Sequence, residues 1–75
     1  METICPRCHG NGLIERVKLT NPEVEFNVCD ECEACWGKNE AITMENFKFL
    51  DRYLKQLGAT EDSKLEVLGY LEKKR

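Results

Sequence analysis

Cys5, Cys8, Cys29 and Cys32 stand in the pattern C-x₂-C-x₂₀-C-x₂-C. A thiolate is a soft anionic donor, and two cysteines separated by two residues can offer both sulfurs from a single tight turn. Two such turns brought together surround one ion tetrahedrally, and this spacing lies in the range recognised for zinc. Four protein sulfurs leave no coordination position for water or substrate. The expected cofactor is therefore one structural Zn²⁺ held by Cys5, Cys8, Cys29 and Cys32.

The same cysteines admit other chemistry. A rubredoxin-like iron centre uses the same four sulfurs. Cys29, Cys32 and Cys35 repeat C-x₂-C-x₂-C as iron–sulfur ferredoxins do, but Asn39 stands where the fourth cysteine of that run belongs. Cys5-Pro6-Arg7-Cys8-His9 has the form of a haem c attachment site, which would leave the second cysteine pair unexplained. A redox role for one C-x-x-C lacks the βαβ surroundings it needs. Cys35 is surplus. It could replace Cys29 or Cys32 as a ligand, but a buried apolar role suits a free thiol better, because Cys29 and Cys32 mirror the first pair. His9 could ligate zinc as well, although four thiolates already complete the set.

The elements that position the two cysteine turns are legible as strands. Gly10 and Gly12 follow the first turn, where a knuckle can require positive φ. Leu13, Val17 and Leu19 share a face with Glu15. Thr20-Asn21-Pro22-Glu23 has turn chemistry. Val24, Phe26 and Val28 then alternate with Glu25 and Asn27 and run into Cys29. Two strands and two knuckles make a zinc ribbon. Beyond it the period changes. Phe47, Leu50, Tyr53, Leu54 and Leu57 recur at three- and four-residue steps, predicting an amphipathic helix with Thr43 as N-cap and Gly58 at its C-terminal end. Ser63 and Glu66 have capping-box spacing, with Thr60 as a rival cap. Leu65, Leu68 and Leu71 form a second helical stripe, interrupted by Gly69 and ending in Lys73, Lys74 and Arg75. The expected fold is α+β: one domain over residues 1–75, with a zinc ribbon over 1–40 and a packed pair of short helices over 41–75.

A chain of 75 residues is near the lower limit for a self-sufficient core, since below roughly 70–80 residues a core supplies only about 3–5 kcal/mol and a metal or disulfide commonly adds the rest. Five cysteines cannot all pair internally. The N-terminus shows no basic region followed by an apolar run, and no apolar segment is long enough to span a membrane, so reduced cysteines in a cytoplasmic protein are the consistent expectation. No serine–histidine–acid or cysteine–histidine arrangement can be assembled around the single histidine, and an enzyme is not expected. Residues 1–40 carry four basic and eight acidic side chains, a formal net of −4, and residues 41–75 carry a net of +1. Nucleic-acid modules show a basic footprint, whereas this ribbon would attract a basic protein. Asp30, Glu31 and Glu33 concentrate negative charge on the second knuckle, and Trp36 beside them is either packed on the ribbon or an exposed anchor.

Two segments resemble known families. Cys5-Pro6-Arg7-Cys8-His9-Gly10-Asn11-Gly12 is similar to one C-x-x-C-x-G-x-G unit of the DnaJ cysteine-rich domain, which repeats the unit four times; a single copy implies a similar knuckle and no chaperone activity. Residues 4–36, ending in Val28-Cys29-Asp30-Glu31-Cys32-Glu33-Ala34-Cys35-Trp36, resemble small bacterial zinc-ribbon proteins encoded beside contact-dependent-inhibition and other polymorphic toxins. That resemblance implies an immunity protein that binds and occludes a cognate toxin, many of which are basic nucleases. The contacts would be Glu25, Asp30, Glu31, Glu33 and Trp36. The alternative is a zinc-ribbon nucleic-acid or transcription accessory protein using Arg7, Arg16, Lys18 or the basic C-terminal end.

Overall fold

Alternation of apolar and polar side chains governs most of this chain. The computed structural model describes residues 4–8 and 11–71. Strands β1 (Ile14–Thr20) and β2 (Val24–Cys29) form the expected antiparallel hairpin, pairing Val17 with Phe26 and Ile14 with Cys29. Asn21 takes a left-handed φ of 58° in the turn between them, a conformation asparagine tolerates better than most residues. The chain then adds β3 (Ala34–Gly37) beside β2 and β4 (Lys48–Phe49) beside β3, enters helix α1 (Leu50–Leu57), and returns as β5 (Lys64–Tyr70) along the far side of β1. The sheet is five-stranded and antiparallel throughout, in the order β4-β3-β2-β1-β5.

This corrects the expected architecture. Among the described residues the protein is mostly β with one short helix, not a ribbon followed by two helices. The segment read as a second helix is β5, and its leucines at 65, 68 and 71 were a misleading signal. Leu65 and Val67 alternate with Lys64 and Glu66, and a strand also accommodates β-branched Val67 and Tyr70. Gly69 (φ 136°) sits beside a bulge, where Val17 pairs with Val67 but Arg16 pairs with Gly69. Thr60 and Ser63 do make the side-chain bonds of a cap: the backbone N–H of Thr60 donates to Ser63 Oγ and that of Asp62 to Thr60 Oγ1. Hydroxyls close turns with the same chemistry whether a helix or a strand follows. Here Ser63 Oγ donates to the Asn21 carbonyl and ties the turn to the β1–β2 hairpin.

The first helix is present but starts later than expected. Lys48 and Phe49 are drawn into extended pairing with β3, so the helix opens after Phe49, whose side chain makes no capping bond. The Leu50 N–H instead donates to the Glu33 carbonyl at 3.2 Å. Thr43 is not a cap; its carbonyl accepts the Trp36 indole N–H at 2.9 Å. Gly58 ends the helix in the left-handed conformation, its N–H bonded to the Leu54 and Lys55 carbonyls.

The sheet buries both of its faces. Val17, Leu19, Phe26, Val28 and Cys35 line one, covered by Leu50, Tyr53, Leu54 and Leu57 of α1, with the Phe26 and Tyr53 rings edge-to-face at 5.1 Å. Ile14, Cys29, Ala34 and Trp36 line the other, closed by Cys5, Cys8, Cys32, Ile42, Phe47 and Leu71. Asn27, placed by its alternation on a polar face, is buried there, accepting from Arg16 Nε at 2.6 Å and donating to the Gly37 carbonyl at 3.3 Å. Among the described residues no helix is long and apolar enough to cross a membrane.

Removing the ring at the centre of the helix-covered face, Phe26→Ala, is expected to cost about 3–5 kcal/mol, whereas Val67→Ala on the exposed edge should stay within about 0.5 kcal/mol. Chemical denaturation of both variants, comparing midpoints at unchanged slope, checks the contrast.

Candidate metal centre

Each cysteine pair is delivered by a hydrogen-bonded turn. The first is closed by the Cys5 N–H donating to the Gly12 carbonyl at 2.9 Å and the Asn11 N–H to the Cys8 carbonyl at 3.1 Å, with Ile4 bridged to Leu13. The second begins at the last residue of β2, Cys29. The Asp30 N–H donates to the Leu13 carbonyl and Asp30 Oδ1 accepts from the Leu13 N–H, both at 3.0 Å, so the two turns are stitched to each other. The N–H groups of Glu31 and Cys32 point at Cys29 Sγ at 3.3 and 3.5 Å. Glu33 leaves the turn with a left-handed φ of 60°.

The result is a tetrad. The sulfurs of Cys5, Cys8, Cys29 and Cys32 all lie within 4.8 Å of one another, with Cys5 to Cys32 at 3.8 Å and Cys8 to Cys29 at 3.4 Å. An ion about 2.3 Å from each of four tetrahedral sulfurs would set them about 3.8 Å apart. The arrangement can hold one metal ion, and its donors fit a thiophilic one. Cys5 and Cys29 are buried, while Cys8 and Cys32 face partly outward.

The electrostatics of the thiols favour a cation. The hydrogen bond with Cys32, then desolvation, pushes the Cys8 thiol well above the ordinary range, and burial raises Cys5. Burial would raise Cys32 too, but hydrogen bonds from Cys8, the Ala34 backbone, Arg7 and Cys29 outweigh it and bring it down to about 6. Crowded sulfurs resist ionising together, and a divalent ion at their centre removes that resistance.

Two neighbours of the tetrad carry weight that their sequence positions did not announce. Gly12 was read as a residue needed for positive φ. Its role is space: a Cβ there would collide with Cys29 Sγ and lie 3.2 Å from Glu31 Cβ and 3.3 Å from Cys8 Sγ. Arg7, inside the first turn, lays its guanidinium over the Phe47 and Phe49 rings at 5.1 and 5.2 Å, pinning the turn to β4. The residue type in the C-x-G-x-G run signals the first; no local signal identifies the second, whose partners lie some 40 positions away.

Cys35 stands apart. It is buried on the opposite face of the sheet, donates to the Lys48 carbonyl at 3.3 Å, and has its thiol pushed up to about 11 by burial. His9 lies outside the described residues, as do Gly10, Lys73, Lys74 and Arg75. The proposed partner contacts fare unequally. Trp36 is fully buried in the core beside the tetrad, which agrees with its reading as packed on the ribbon and corrects the rival one as an exposed partner contact. Glu25 is half-buried between Arg16 at 3.8 Å and Lys38 at 3.6 Å. Asp30 is exposed but accepts bonds from Leu13 and from the Tyr70 hydroxyl at 3.2 Å. Glu31 and Glu33 are exposed and make no ion pair among the described residues.

Comparison with known protein families, with curated proteins and with solved structures finds no match to this chain, so the chemistry of the centre is argued from its own residues.

Cys35→Ala is expected to keep the metal stoichiometry of the parent, whereas alanine at Cys5, Cys8, Cys29 or Cys32 abolishes it or leaves an aggregating chain; elemental analysis of the purified variants checks this. Gly12→Ala should weaken metal binding by about 10–100-fold, the range seen when a group that orients ligands is lost. Competition against a chromophoric chelator measures it.

Proposed function

We propose that the tetrad holds one structural Zn²⁺ and that the chain is a binding protein, neutralising a basic protein toxin by occluding its active site or a surface it needs. The zinc reading is carried by the four converging sulfurs, whose separations match a tetrahedral thiolate site with no position left for substrate. Zinc in such a site can contribute on the order of 10 kcal/mol of folding energy.

The partner reading rests on the resemblance of residues 4–36 to toxin-linked zinc ribbons and on the net of −4 over residues 1–40. Glu31 and Glu33 support it, because they project from a turn that the metal holds rigid. Fixed charges on a preorganised turn raise the rate of encounter with an oppositely charged surface. The nucleic-acid alternative has less support. Arg16 is committed to Asn27 and Glu25, Lys18 pairs with Glu23 at 2.8 Å, and Arg7 lies over its two rings.

Purified protein is expected to contain one zinc per chain and to lose its circular dichroism signal with a strong chelator; an iron charge-transfer band, or a metal-free chain that stays folded, would overturn the zinc reading. With a basic toxin encoded beside it, the chain should form a one-to-one complex and rescue growth. Glu31→Lys with Glu33→Lys should slow association without loss of zinc, an effect that shrinks at high salt. Failure to protect the host would remove the immunity role, and tight salt-sensitive binding of a DNA or RNA oligonucleotide would favour the alternative.

A further inference from the structure

Strand β4 and helix α1 enclose a groove of about 290 Å³, lined by Phe47, Lys48, Phe49, Arg52, Tyr53 and Gln56. Local sequence builds it. Lys48 and Phe49 pair with β3 and the helix opens at the next residue, so strand and helix meet with no linker between them. Arg52 and Gln56 stand one turn apart on α1 and are therefore neighbours on its surface.

The walls are aromatic. The Phe47 and Phe49 rings meet edge-to-face at 5.4 Å, and Phe49 keeps 45% of its surface exposed. Arg7 lies over both rings at 5.1 and 5.2 Å, and the Tyr53 ring is held by Phe26 at 5.1 Å. A wall fixed in this way is ordered before any ligand arrives, which lowers the cost of binding.

The charged lining is all of one sign: two cations and no carboxylate. Lys48 is already engaged, its Nζ 2.6 Å from Glu40 Oε1 and 3.2 Å from the Asn46 carbonyl. Arg52 is exposed, and among the described residues its guanidinium has no acceptor. The Gln56 amide and the Tyr53 hydroxyl make no hydrogen bond there either. One unanswered positive charge and two unanswered polar groups thus border an aromatic wall.

We propose that this groove binds a small aromatic monocarboxylate, its ring against Phe49 and Tyr53 and its carboxylate on Arg52 and Gln56. The guanidinium fork matches a carboxylate through two parallel N–H donors. A phosphate dianion fits less well, because Glu40 neutralises Lys48 and a single cation remains. The volume lies at the lower end of the roughly 300–1,000 Å³ of small-molecule sites, which suits an occupant of one ring. Neither Glu31 nor Glu33 lines the groove, so the assignment stands apart from the toxin reading.

Titration of the full chain as purified, followed by ¹⁵N–¹H NMR, compares phenylacetate with the neutral phenylacetamide. Phenylacetate is expected to give saturable shifts at Phe49 and at the side-chain N–H groups of Arg52 and Gln56. The amide should bind at least about tenfold more weakly, since it forfeits the charge-assisted bonds. Arg52→Gln should weaken phenylacetate by a similar factor, leave phenylacetamide unchanged and keep the parent's circular dichroism, because Arg52 is exposed. Shifts that do not saturate, or equal affinity for acid and amide, would overturn the proposal. So would tighter binding of phenyl phosphate or of a single-stranded oligonucleotide, or an Arg52→Gln protein that binds phenylacetate like the parent. If Arg52→Gln fails to fold, the parent decides: added salt must weaken phenylacetate and spare phenylacetamide, and a parallel response of the two rejects the site.

Discussion

A sheet buried on both faces in a chain this short has too few side chains to cover it, and the tetrad is what closes the second face. The helix-covered face has an ordinary apolar lid of leucines and Tyr53. Opposite it, Ile14, Ala34 and Trp36 are covered by Cys5, Cys8 and Cys32 together with Ile42, Phe47 and Leu71. Four sulfurs that can gather round one ion would act there as a cross-linked piece of core. Cys29 illustrates the economy: it ends β2, pairs with Ile14 in the hairpin, and receives the N–H groups of the turn that follows.

That dependence reaches well beyond the ligands. Arg7 carries the first turn onto Phe47 and Phe49, and those rings meet edge-to-face at 5.4 Å just ahead of α1. Glu33, leaving the second turn, provides the carbonyl that receives the first N–H of the helix. The helix therefore begins where the metal turns end, and it needs no side-chain cap of its own. The surface charges follow the same logic: Glu40 bonds the Gly37 N–H and Lys48 Nζ at 2.7 and 2.6 Å, fastening the loop between β3 and β4, and the Lys48 hydrogen bond leads the effects that hold its carboxyl below the usual range.

The hairpin, its turn and the cysteine tetrad were legible in the sequence because each is encoded locally: alternation over six or seven residues, an asparagine–proline turn, and ligands spaced to share one knuckle. The C-terminal half was not, because its structure is decided by distant partners. Phe47 fits a helical stripe with Leu50 and Tyr53, yet Cys35 recruits Lys48 into pairing and the helix loses its first turn. Leu65, Leu68 and Leu71 fit a helix as well as a strand until β1 offers an open edge. Gly69 was the residue that argued against the helix, and its φ shows why it is tolerated where it lies. Trp36 could not be placed from its neighbours either, since its indole partner is the Thr43 carbonyl across a loop.

The late strand is also tied to the cysteine centre. The Leu71 N–H donates to the Ile14 carbonyl at 2.8 Å, and the Leu71 side chain packs in the tetrad-side core. The Tyr70 hydroxyl donates to Asp30, whose other oxygen receives the Leu13 N–H that joins the two cysteine turns. The C-terminal end of β5 thus rests on the centre at two points, while its N-terminal end is held by Ser63 on the hairpin turn. β5 is for that reason joined to the cysteine centre through the backbone of β1 and the carboxylate of Asp30.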